Sequence, residues 1–137
     1  MTSYSVTRDI TADPGTIWAI LTDPAQLVPD FGILRLEGTM GPGARIKLWS
    51  ELDPKRAFAL RVTDWVPNKR MVWQGGMPFG LFRGTRTFDL VPNGTGTRFT
   101  MDERFTGPLA GLIIKSIPDL QPSFDKFGDA LKRKAEA

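Results

Sequence analysis

Among its 137 residues the sequence has no cysteine and no histidine. The first absence excludes disulfides, thiolate metal sites and cysteine nucleophiles. The second excludes a Ser-His-Asp triad, an imidazole metal site and any side chain whose unperturbed pKa lies near neutrality. Catalysis would have to rely on Asp, Glu, Lys, hydroxyls, bound water or the single tyrosine, Tyr4. No apolar run approaches the ~20 residues that a membrane span needs. Residues 1–5 lack the basic start and apolar core of a secretion signal. Charge of either sign is in short surplus: 18 basic against 15 acidic residues, a net +3. The cations alternate with acids and threonines, which is the pattern of a solvated sheet face and not of a nucleic-acid footprint. These absences predict a soluble cytoplasmic protein with no metal, no cofactor, no nucleic-acid partner and no integral membrane association.

What is present is ordinary for a globular chain, with 41% apolar and 24% charged residues. The length suits one domain, residues 1–137, able to bury about two thirds of its unfolded surface. The last third organises the rest. Ile113, Ile117, Leu120, Phe124, Phe127 and Leu131 recur in alternating steps of four and three, which sets them along one helical stripe. Such a helix needs a surface to cover its apolar face. Pro118 and Pro122 cannot both lie inside an unbroken helix. The pattern therefore predicts a short helix near Leu109–Lys115, a bend at Ile117-Pro118, and a long helix from an Asp119 cap to about Glu136.

Strands fill most of the chain before it. Tyr4–Ile10 alternates as a first strand, and Asp13-Pro14 and Asp23-Pro24 then open two short helices, the second stopping by Pro29. Six further strands are expected at Ile33–Glu37, Ala44–Glu51, Ala57–Val66, Arg70–Gln74, Leu81–Val91 and Thr97–Phe105. Their short connections favour antiparallel pairing. Trp65 is out of phase with Phe58, Leu60 and Val62 unless a bulge intervenes.

Alternation also assigns faces. Phe82, Gly84, Arg86, Phe88 and Leu90 share one side of the sixth strand, and Phe99, Met101, Glu103 and Phe105 share one side of the seventh. Arg86 and Glu103 are thus charged residues on otherwise apolar faces. A hairpin at Asn93-Gly94 brings them within reach: diagonal for a two-residue turn, directly opposite for a four-residue loop. Buried charges are costly unless paired, so the pair reads first as a satisfied ion pair near the sheet rim and second as a ligand contact. Arg8, in phase with Tyr4 and Val6, extends this to an Arg–Glu–Arg cluster. The loop Gly75–Gly80 reads either as a gate over a pocket or as a connection whose Met77 and Phe79 tuck into the core.

Strand, two short helices, six strands and a long terminal helix, in that order, resemble the helix-grip fold of the START and birch-pollen-allergen superfamily. Within it the chain is most similar to small polyketide cyclase/dehydrase-like bacterial proteins. The residues that carry the likeness are Ile10-Thr11-Ala12-Asp13-Pro14 with Ile17-Trp18, and Arg61–Pro67 running on to Val72–Gly75. Phe105–Leu109, Ser116–Leu120 and Leu131-Lys132 complete it. The resemblance implies an α+β domain in which a seven-stranded curved antiparallel sheet wraps around the C-terminal helix, with the first strand beside the seventh. It also implies an apolar cavity between sheet and helix for a lipid, quinone or polyketide-like molecule. It transfers no catalytic residue.

The leading functional reading is therefore a binding or transport protein for a small hydrophobic or aromatic molecule, acting as a monomer or a dimer. The expected lining is Phe58, Leu60, Trp73, Phe82, Phe88, Met101, Ile113, Ile117, Leu120 and Phe124, with Arg86 and Glu103 as polar contacts. Two alternatives accompany it. One is a polyketide cyclase or dehydratase in which Arg86 polarises a carbonyl and Glu103 moves a proton. The other is a protein–protein adaptor without a small ligand.

Overall fold

A computed structural model describes residues 3–28 and 30–137. The chain opens with β1 (Ser3–Ile10), followed by α1 (Pro14–Leu21) and α2 (Pro24–Leu27). The Asp13 carboxylate accepts from the Thr16 amide at 2.8 Å, and the Asp23 carboxylate accepts from the Ala25 amide at 3.1 Å. Each helix thus begins on a side-chain cap with proline in its first turn, as the sequence predicts. The predicted stop at Pro29, and residues 1–2, lie outside the described residues.

Six strands follow: β2 (Ile33–Glu37), β3 (Arg45–Ser50), β4 (Asp53–Val66), β5 (Arg70–Gly76), β6 (Arg83–Asn93) and β7 (Gly96–Thr106). All ladders are antiparallel, and the seven strands run in the order β1-β7-β6-β5-β4-β3-β2. Most boundaries fall within two residues of expectation, and two of the differences have a local cause. β4 starts at Asp53 rather than Ala57, because Asp53 pairs with Ser50 across a turn at residues 51–52. β6 starts at Arg83 rather than Leu81, because residues 78–80 are spent in a 3₁₀ turn. Trp65 recovers an inward direction through a register shift between Val62 and Asp64, and its ring packs edge-on against Trp18 at 5.0 Å. That is the bulge the phase of Trp65 required.

The C-terminal stretch divides as its prolines demand, into α3 (Ala110–Ile114) and α4 (Gln121–Glu136). Leu120, not Asp119, occupies the capping position, although the Asp119 carboxylate still accepts from the Gln121 amide at 3.0 Å. α4 lies in the concave face of the sheet, closest to β1. Phe127 meets the rings of Phe31, Phe88 and Phe99 there. Gly128 permits the approach: a Cβ at that position would stand 3.0 Å from Val6 Cγ2 and 3.1 Å from Arg8 Cγ. This curved antiparallel sheet around a C-terminal helix, with two short helices after the first strand, is the helix-grip fold.

One end of the concave space is plugged. Ile17, Trp18, Ile20, Leu21 and Leu27 of the helical corner are buried against it. The Thr97 hydroxyl donates to the Ala12 carbonyl at 2.8 Å, and Lys134 Nζ donates to the Gln26 carbonyl at 2.8 Å. The other end lies beside α3 and the β5–β6 connection.

Candidate functional site

The concave face changes character along its strands. From the plugged end, Val62 on β4, Met71 and Trp73 on β5, Leu90 and Phe88 on β6, and Phe99 and Met101 on β7 are all buried. Toward the other end, Phe58 and Leu60, Phe82, Arg86 and Glu103 are only half-buried. Ile113 on α3, and Ile117 and Leu120 before α4, are half-buried above them, and Phe124 is buried. The expected lining thus separates into a packed floor (Trp73, Phe88, Met101, Phe124) and an incompletely covered rim formed by the remaining residues.

A row of side chains crosses the face where floor meets rim. The register sets Tyr4 opposite Glu103, Glu103 opposite Arg86, Arg86 opposite Trp73, and Trp73 opposite Val62. Directly paired residues project on the same side of a sheet. Four neighbouring strands therefore present Tyr4, Glu103, Arg86 and Trp73 in one line. Arg86 Nε donates to the Glu103 carboxylate at 2.6 Å, and the guanidinium lies 4.9 Å over the Phe124 ring. The side chains of Arg86 and Glu103 are 24% and 14% exposed, so the pair is largely withdrawn from water.

The hairpin turn centres on Gly94-Thr95, with Asn93 opposite Gly96, one residue beyond the Asn93-Gly94 centre. That offset gives Arg86 and Glu103 direct opposition. Arg8 does not join them. It faces Phe99 on β7, and its Nε donates to the Asp129 carboxylate at 2.8 Å with Asp125 3.9 Å away. Alternation identified its face but not its distance along the strand: Arg8 is four residues from Tyr4, about 13 Å in an extended chain. Tyr4 occupies the place expected for Arg8, and its ring meets Phe105 and Phe124. The available signal for Tyr4 was its parity with Val6.

The reading of the β5–β6 loop as a connection whose Met77 and Phe79 tuck into the core does not survive. Phe79 is 98% exposed with φ of 61°, and Met77 and Leu81 are exposed beside it. The Leu109 amide donates to the Leu81 carbonyl at 2.9 Å, which fastens this loop to the segment leading into α3, where Leu112 is 70% exposed. A separate polar groove of about 310 Å³ lies on the outer sheet face, lined by Arg70, Thr85, Thr87, Asp89, Asp102 and Arg104. None of the expected lining residues borders it. No group of three or more acidic, cysteine or histidine side chains among the described residues could hold a metal.

Residues 1–136 match the family model described as polyketide cyclase / dehydrase and lipid transport. The chain belongs to that family. Solved structures share the family fold over nearly its full length. MLL2253 from Mesorhizobium loti is 21% identical with a TM-score of 0.74, covering 96% of this chain and 95% of its own. The Aha1 dimer from Colwellia psychrerythraea is 20% identical with a TM-score of 0.75, covering 99% and 97%. DynU16, from the dynemicin biosynthetic locus, is 20% identical with a TM-score of 0.71; the match covers 98% of this chain and 47% of that longer one. At these identities the likeness extends to the fold alone. No curated protein matches the sequence significantly. No helix among the described residues is long and apolar enough to cross a membrane.

Proposed function

We propose that this family member binds a small hydrophobic or aromatic molecule in the cleft between the open end of the sheet and the α3–α4 segment. The observation that carries the reading is the gradient along the concave face. Large apolar side chains (Phe58, Leu60, Phe82, Ile113, Ile117, Leu120) stay half-buried around one end of the concave face, beside a fully buried core. An incompletely covered apolar concavity with a few fixed polar groups is what small-molecule sites look like. Arg86 supplies the polar contact. Among the described residues its hydrogen bonding runs through Nε, and its guanidinium carbon lies over the Phe124 ring.

Glu103 is already engaged by Arg86, which counts against it as a free proton carrier and places binding ahead of cyclase or dehydratase chemistry. An adaptor reading draws on one observation, the exposed Phe79 and Leu112 on adjoining segments. Purification of a specific protein partner that is lost in Phe79→Ser would favour it.

The binding reading is tested by fluorescence titration with N-phenyl-1-naphthylamine, alongside native mass spectrometry of protein purified from its own host. Leu60→Arg should abolish binding, and Thr87→Arg, on the outer face, should preserve it. Absence of wild-type binding, or equal binding by Leu60→Arg, overturns the proposal.

A further inference from the structure

We infer that Trp73 is a hydrogen-bond anchor of this cleft, donating its indole N–H to an acceptor oxygen on the bound molecule. The ligand would then be an apolar molecule carrying a carbonyl or carboxylate oxygen, not a plain hydrocarbon. The inference rests on the binding reading above and adds to it the ligand's functional group and the residue that selects it.

The indole of Trp73 is 2% exposed, and its Nε1 is a buried side-chain nitrogen with no hydrogen-bond partner among the described residues. Buried donors are almost always paired, because leaving one unmade forfeits the full desolvation of the group. Phenylalanine would fill a purely structural floor position without that cost. The ring is already well packed, 4.7 Å from Phe88 at 59°, so the nitrogen is not left over from loose packing.

Its location supplies the second line of support. Trp73 stands directly across the β5–β6 ladder from Arg86, on the concave face and at the line where buried floor gives way to half-buried rim. The Nη groups of Arg86 are donors that the Glu103 bond, made through Nε, does not consume. Two adjacent strands thus set the residues that carry these donors, Trp73 and Arg86, directly opposite each other on the concave face. A ligand oxygen with two lone pairs is the complement of that arrangement. Valine at position 62, across the β4–β5 ladder, offers no competing acceptor on the far side.

The specificity this would confer has a characteristic asymmetry. A site built to donate to a ligand oxygen rejects the analogue lacking it, since the donor is then left buried and unpaired. The matched probes are 9-fluorenone and fluorene, which share a tricyclic frame and differ by a carbonyl. Competition against N-phenyl-1-naphthylamine gives their affinities, and spectra of protein carrying ¹⁵N-indole tryptophan report the Trp73 N–H directly. Wild-type protein should prefer fluorenone by about tenfold or more, the scale of one well-made hydrogen bond in a dry site. Trp73→Phe should remove most of that preference, weakening fluorenone while leaving fluorene within roughly a factor of two. The Trp73 indole proton should move downfield with fluorenone and stay in place with fluorene, a measurement that needs no variant to fold. Equal affinities for the two probes, equal losses in Trp73→Phe, or an unmoved indole proton in the fluorenone complex would overturn the inference while leaving the binding reading intact. Failure of both probes and of N-phenyl-1-naphthylamine to bind wild-type protein would instead overturn the reading, and this inference with it.

Discussion

Arg86 lies directly across the β6–β7 ladder from Glu103, and its Nε donates a 2.6 Å hydrogen bond to the Glu103 carboxylate. Both charges sit among aromatic side chains, with Phe124 against the guanidinium. Removing one partner of such a pair leaves an uncompensated charge in poorly solvated surroundings, whereas removing both does not. With side-chain exposures of 24% and 14%, some screening by water remains. Arg86→Met should therefore destabilise by about 2 kcal/mol, below the range for a fully buried pair. The double variant Arg86→Met/Glu103→Leu should recover at least half of that loss. Urea unfolding of the two singles and the double closes the cycle. Additive losses would mean that the pair is not coupled.

How the Arg86–Glu103 pair was legible, and its neighbours were not, follows from what alternation reports. Period-two patterning marks a charged residue on an apolar face, and a hairpin signal nearby restricts which residues can meet. Both hold for Arg86 and Glu103. Across β1 the same reasoning had only parity to use, with no turn joining β1 to β7, so it chose Arg8 where the register places Tyr4. The orphaned Trp73 N–H was beyond reach for a different reason. Whether a donor finds an acceptor depends on side-chain packing within about 3.5 Å, which no spacing rule encodes. Trp65 shows the opposite case: a phase conflict in the sequence was itself the signal of the bulge.

Two glycines on helices give opposite predictions from the same substitution. Alanine raises helix propensity by about 1 kcal/mol over glycine at an interior position. At Gly111, in α3, a Cβ meets nothing within 4 Å among the described residues, so Gly111→Ala should stabilise. At Gly128 the Cβ would press on the buried Val6 at 3.0 Å and on Arg8 at 3.1 Å. Overpacking of this kind costs about 1–3 kcal/mol and exceeds the propensity gain. Gly128→Ala should lower the urea midpoint and Gly111→Ala should raise it; a rise in both would show that α4 can move off β1 at little cost.

The plugged end depends on carboxylates whose protonation is harder in the folded chain. Arg98 beside Asp9 holds that carboxyl below its ordinary value of 3.8. Lys132 and the Thr11 amide do the same for Glu136, ordinarily 4.5. Groups with depressed folded pKa values contribute stability that is complete above their unfolded pKa and is lost as pH falls through the folded one. Stability should accordingly hold from neutral pH down to about pH 5 and then decline toward pH 3. Asp9→Asn and Glu136→Gln should each flatten that decline while costing stability at neutral pH. Urea midpoints across this range decide it, and an unchanged acid slope in both variants would remove these carboxylates as its source.

Phe79 combines two features that folding does not reward: a φ of 61° and a side chain that is 98% exposed. A non-glycine residue in left-handed backbone costs about 1–2 kcal/mol. Glycine relieves that strain, although it adds roughly 0.5–1 kcal/mol of chain entropy to lose on folding. The exposed ring has almost no packing to forfeit. Phe79→Gly should therefore raise stability slightly, by about 0.5–1 kcal/mol, against the usual expectation for deleting an aromatic side chain. Thermal and urea unfolding of the variant test this. A clear loss would mean that Phe79 covers apolar surface at the cleft mouth in solution, so that the loop closes over Phe82 and Leu112. A gain would mean that the strained, exposed ring is maintained for something other than stability, and would direct attention to what meets it from outside.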